Sequence, residues 1–171
     1  MKPLYRARQF FGGLLARVTE ADRCEADLVL SPQARGWFRS LPRDLQWHGL
    51  HVMRDLRQSG VDRSEVLAAG LLHDAGKAVA SIGPIQRAII VLTQHLAPRW
   101  SARYSNADWQ SVRGLARWLA VAYQHPQIAA ERARQCGCDP ITIDLIRRHQ
   151  DHQGADGDPL LIVLQRVDNR N

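Results

Sequence analysis

The chain has little lysine, little cysteine and no long apolar run. Lysine stands at only two of 171 positions, Lys2 and Lys77, although Lys and Arg together number 23. Arginine therefore carries the positive charge, and a lysine in the middle of the chain is conspicuous. The three cysteines, Cys24, Cys136 and Cys138, are odd in number, and a Cys-x-Cys pair matches neither a disulfide framework nor zinc-finger spacing. They read as reduced thiols packed as small apolar side chains. No stretch of about 18 consecutive apolar residues exists, so no membrane-spanning helix is expected. Met1 to Glu20 is studded with arginine and lacks the apolar core of a secretory signal, which leads us to expect a cytoplasmic protein whose N-terminus belongs to the fold. The net charge of +6 is spread along the chain without basic blocks or interleaved aromatics. The excess of positive charge favours anionic partners such as phosphates or nucleic acid, a solvated arginine-rich surface fits the spread equally well, and the lack of a basic face with interleaved aromatics ranks a nucleic-acid binder low.

Apolar content is 45%, ordinary for one globular domain with a full-sized core. The chain reads as helix after helix. Apolar residues recur at helical spacing from Tyr5 to Val18. Ser31-Pro32, Leu41-Pro42, Gly83-Pro84, His125-Pro126, Asp139-Pro140 and Asp158-Pro159 are helix starts, with proline at or near the first helical position. A helix capped by Asp62 runs from Ser64 to His73 and ends at Gly76. Another is expected from Asn106 to Tyr123, with Trp109, Val112, Leu115, Ala116 and Leu119 on one face. Ala97 to Ala107 reads as a long loop. Strand signals are poor. The expectation is an all-α, single-domain bundle of about eight or nine helices.

The chemistry centres on Leu71-Leu72-His73-Asp74-Ala75-Gly76-Lys77. Here a strongly apolar helix ends in an adjacent imidazole and carboxylate. Buried polar groups need partners, and a divalent cation suits both. Taken alone, the doublet fits an ordinary helix end with a surface ion pair equally well. His48 and His51 share a helix face three residues apart. Asp168 follows the apolar face Leu161, Leu164 and Val167; alone it reads as a surface residue.

His48, then Leu-Leu-His73-Asp74-x-Gly-Lys77, then Val-Asp168-Asn together resemble the HD superfamily of metal-dependent phosphohydrolases. The resemblance covers Leu41 to Asn171 and implies an HD-type domain at residues 41–171, with residues 1–40 as a helical extension packed on it. It is closest to the HDIG and HD-GYP-like branch, through His125-Pro126 and Leu145-Ile146-Arg147-Arg148-His149. The resemblance implies that His48, His73, Asp74 and Asp168 bind a first divalent ion (Mn, Fe, Mg, Co, Ni or Zn). It makes His125 and His149 candidates for a second. Gln150 stands where that branch usually has a second histidine of a pair. The Gly-Tyr-Pro signature is absent, so cleavage of cyclic di-GMP is not implied.

The activity so implied is hydrolysis of a nucleotide or other phosphate ester by a metal-activated hydroxide. Asp74 and Lys77 serve catalysis, and Lys77, Arg147 and Arg148 meet the substrate phosphate. The alternative is a weak or inactive nucleotide-binding regulatory module on the same scaffold. His51 reads as a neighbour of the site, His95 as structural, and His152 as a residue at the pocket mouth.

Overall fold

The computed structural model describes residues 17–151 and 157–171. Among these the fold is all-helical, with no strand and one compact domain. In chain order the helices are α1 (Glu20–Asp27), α2 (Pro32–Ser40), α3 (Arg43–Gln58), α4 (Ser64–Leu72), α5 (Pro84–Leu96), α6 (Pro98–Ser101), α7 (Gly114–Gln135), α8 (Pro140–Arg148) and α9 (Pro159–Asp168). Short 3-10 segments at Ala75–Ala80 and Ala102–Tyr104 join α4 to α5 and follow α6. No single helix among the described residues is long and apolar enough to cross a membrane.

Helix α4 is the hub. Every residue from Val66 to Leu72 is buried, and the helix packs on α3, α8 and α9. A helix apolar all round has nowhere to go but the centre. Its crossing with α3 is very close: a Cβ on Gly49 would overlap the Leu71 carbonyl oxygen. Three helix starts follow the serine-or-aspartate rule. The Ser31 hydroxyl accepts from the Ala34 N–H, Asp139 from Ile141, and Asp158 from Leu160 and Leu161.

The chain departs from expectation in several places. Helix α1 was not foreseen, although Thr19 and Asp22 close a reciprocal capping box at its start. The expected helix Tyr5–Val18 lies outside the described residues except for Arg17 and Val18, which are not helical. Arg63, not Asp62, occupies the N-cap of α4 and makes no side-chain cap. The expected loop from Ala97 contains α6 and a 3-10 turn. Helix α7 starts at Gly114, not Asn106, because Asp108 diverts the backbone into a turn by accepting from the Gln110 N–H at 3.0 Å. Cys24 is exposed, whereas Cys136 is buried, and burial pushes the half-buried Cys138 thiol up to about 11.

The described part of the expected N-terminal extension shares the main core. Ala26, Ala34 and Phe38 are fully buried in one cluster with Met53, Leu72, Ile146 and Leu164. Arg54 pairs with Asp22 and Glu25, and Arg39 with Glu20 and Asp27, fastening α1 to α3 and α2.

Gly76 does not terminate α4. It sits inside the 3-10 segment with ordinary φ, and a Cβ there would overlap the His125 carbonyl oxygen on α7. Two backbones touch at this point, and neither can give way cheaply. Gly76→Ala is therefore expected to destabilise the fold by about 3 kcal/mol or more, measurable by urea denaturation.

Candidate metal centre

Three helix ends and two helix interiors converge on Asp74. Helix α4 delivers His73 as its C-cap residue, and Asp74 follows at the start of the 3-10 segment. Helix α3 supplies His48, α7 supplies His125, the C-cap of α8 is His149, and α9 ends with Asp168. His73, His125 and His149 are buried, and the side chains of His48, Asp74 and Asp168 are only 18%, 15% and 28% exposed.

Two groups of atoms share the Asp74 carboxylate. On one side, His48 Nε2, His73 Nε2 and Asp168 Oδ1 form a nearly equilateral triangle with edges of 3.2, 3.1 and 3.2 Å. Asp74 Oδ2 lies 3.6 Å from His48 Nε2, and Oδ1 lies 3.9 Å from His73 Nε2. An ion bound at about 2.1 Å by nitrogen and oxygen ligands separates them by about 3.0 to 3.4 Å, depending on geometry. The triangle falls inside that window. On the other side, Asp74 Oδ1 lies 3.2 Å from His125 Nε2 and 3.8 Å from His149 Nε2. Both nitrogens are buried without a hydrogen-bond partner. Uncompensated buried acceptors are costly, and a cation beside the shared oxygen is the partner they lack. His48, His73 and Asp74 form one group that could hold a metal ion, and Asp74, His125 and His149 form another; Asp168 borders the first through its contacts with His48 and His73.

Three histidines are aimed by the same device. The Nδ1–H of His73 donates to the Gly70 carbonyl at 3.0 Å, that of His149 to Ile146 at 2.7 Å, and that of His125 to Ala122 at 2.9 Å. Each bond reaches back three residues and leaves Nε2 pointing inward as the potential ligand. For His73 and His149 the acceptors are carbonyls left over at helix C-termini. His125 lies in mid-helix, where the Ala122 carbonyl would normally bind the N–H of residue 126. That residue is Pro126, which has none. The expected helix break at His125-Pro126 is therefore absent: α7 runs through, and the freed carbonyl orients the imidazole instead. Pro126→Ala returns an N–H that competes for this carbonyl. We expect a higher Tm for the metal-free protein, because an interior proline costs up to about 3 kcal/mol. We also expect the His125 ring to lose its single tautomer, which ring-nitrogen NMR reads.

Charge is balanced without metal. Burial alone would lower the His73 pKa, but the Asp168 and Asp74 charges outweigh it and raise it to about 9. Burial tends to raise Asp74, yet Lys77 and His73 hold it well below the usual carboxylate range. Asp168 is likewise lowered, against burial, by His73 and His48. Burial, reinforced by His73, drives His149 down to about 3. Burial and the Lys77 charge lower His125. His125 and His149 are thus neutral at pH 7, the form that ligates metal.

The remaining expected residues fall as follows. Lys77 Nζ donates to Asp74 Oδ2 at 2.6 Å, so it holds the shared carboxylate. Arg148 is engaged by Asp144 and Asp158 at 2.8 and 3.3 Å, with Asp151 at 3.9 Å, so the expected phosphate clamp is occupied by carboxylates. Arg147 is exposed on α8, and its charge acts on Glu131. Gln150 is exposed. His51 packs its ring on Trp47, centroids 3.9 Å apart, and bonds the Trp47 carbonyl. His95 is exposed, and His152 lies outside the described residues. Sequence reasoning missed Gln165, which is buried one turn before Asp168. Its Nε2 donates to the His149 and Asp151 carbonyls, tying the end of α8 to α9. Its place three residues from Asp168 on one helix face was the available signal.

Searches with this chain against protein-family models, curated proteins and solved structures returned no match.

Proposed function

We propose that the protein is a metal-dependent phosphohydrolase of the HD type, acting on a nucleotide or other phosphate ester. The observation that supports it most is the Asp74 carboxylate, with His48, His73 and Asp168 on one side and the unpartnered nitrogens of His125 and His149 on the other. Six side chains from five parts of the chain would hold two divalent ions, His48, His73, Asp74 and Asp168 the first, and Asp74, His125 and His149 the second.

Bound there, such ions would supply Lewis acidity and a nucleophile of hydroxide strength at neutral pH. The chain's own groups do the rest. His48, His73 and Asp168 fix one position, His125 and His149 the other, and the Nδ1–H bonds hold the rings in place. Lys77 keeps Asp74 ionised, and its remaining ammonium hydrogens are available to a phosphate oxygen. The exposed edges of His48, Asp74 and Asp168 mark the side from which a substrate approaches.

A second reading, a nucleotide-binding module without turnover, draws on the engagement of Arg148 and Lys77 by carboxylates, which leaves fewer cations for a phosphate. One experiment separates the two. A panel of nucleotides and simple phosphate esters is assayed with Mn, Fe, Co, Ni, Mg and Zn against His73→Ala. Metal-stimulated phosphate or nucleotide release, lost in the variant, supports the hydrolase. Tight nucleotide binding with no release under any metal supports the module.

A further inference from the structure

Gln165 is a buried amide set among apolar neighbours. It lies one turn before Asp168, at 3% exposure, on the buried side of α9 with Leu161 and Leu164. Its Nε2 donates to the Asp151 carbonyl at 3.0 Å and to the His149 carbonyl at 3.3 Å. These two acceptors fix which way the amide faces, because the flipped form would set an oxygen against two carbonyl oxygens. Its Oε1 is buried and accepts no hydrogen bond among the described residues. A buried amide left half-satisfied is costly, and an apolar side chain of similar bulk would fill the place without that cost. What the amide supplies is a hold on the chain where it leaves α8.

We infer that Gln165 is a positioning residue for the second metal position, acting through the backbone of His149. The inference rests on the two-ion reading of the Asp74 cluster. His149 is the C-cap residue of α8, where carbonyls lack a helical N–H to accept from and the chain turns away. Its ring bonds the Ile146 carbonyl at 2.7 Å, which sets the angle of the imidazole. Gln165 sets where the backbone beneath that ring lies. His149 is also the looser ligand of its pair: its Nε2 lies 3.8 Å from Asp74 Oδ1, against 3.2 Å for His125. His125 is carried inside α7 and needs no such hold. The first position does not depend on the amide either. His48 and His73 come from α3 and α4, and Asp168 is carried by the backbone of α9 itself.

The test is titration of the full chain with Zn against a chromophoric chelator, in wild type and in Gln165→Met, which keeps the bulk and removes the N–H. One affinity is expected to fall about 10- to 100-fold, the cost of losing a group that supports a ligand, while the other stays within about twofold. In the His149→Ala background the same substitution is expected to leave the remaining affinity within about twofold, because the ligand it positions is gone. Gln165→Asn, whose amide is one methylene short of the two carbonyls, is expected to show the same split and serves if Gln165→Met does not fold. Equal loss at both positions, or a lower Tm with both affinities unchanged, would reduce the amide to a tie between helices and overturn the inference alone. A further loss in the His149→Ala background would overturn it as well. A wild-type chain that binds fewer than two ions overturns both the inference and the two-ion reading beneath it.

Discussion

Asp74→Asn is expected to weaken every metal ion the protein binds, whereas His149→Ala weakens only one. Asp74 is the residue common to both ligand groups. Its Oδ1 faces His125 and His149, and its Oδ2 faces His48 while accepting from Lys77. Loss of a group merely supporting a ligand costs about 10- to 100-fold in metal affinity, so loss of the shared ligand should cost on the order of 10³-fold at each position. Titration with a chromophoric chelator reads both affinities. If Asp74→Asn lowers one affinity and spares the other, the carboxylate is not shared.

The second large effect is on pH. In the metal-free protein His73 holds its proton up to a pKa of about 9, against an ordinary 6.5. That proton sits between Asp168 and Asp74 where a cation would bind, so metal must displace it. Metal affinity should therefore climb about tenfold per pH unit from 6.5 towards 9 and then level off. Stability of the metal-free fold runs the other way. A pKa raised on folding stabilises fully below the unfolded value of 6.5, and that stability is lost as pH passes through about 9. The difference amounts to about 3 kcal/mol. Metal-free Tm should fall over this range while affinity rises. In His73→Gln both slopes should vanish. A metal affinity that is flat with pH would contradict the assignment of the proton to His73.

The local chemistry of the sequence made much of this legible. Proline after serine, glycine or aspartate marked α2, α5, α8 and α9 correctly, because the first helical turn needs no N–H there. The same rule failed at Pro126, because it cannot see that a neighbouring histidine will use the freed carbonyl. The His73-Asp74 doublet was visible as two polar residues ending a helix that had to be buried. Asp168 was not visible from its own surroundings, since an aspartate after an apolar stripe is normally solvated. Its partner lies 95 residues earlier in the chain. Arg148 was placed by its neighbour His149, whereas its contacts are set by carboxylates one turn away on α8 and at the start of α9.

Elemental analysis of anaerobically purified protein tests the central claim most directly. Wild type is expected to carry about two divalent transition-metal ions per chain, reduced to about one in His149→Ala. A wild-type chain that holds no metal, even after dialysis against excess Mn or Zn, would leave the six converging side chains as a buried ion-pair network and remove the basis for hydrolysis.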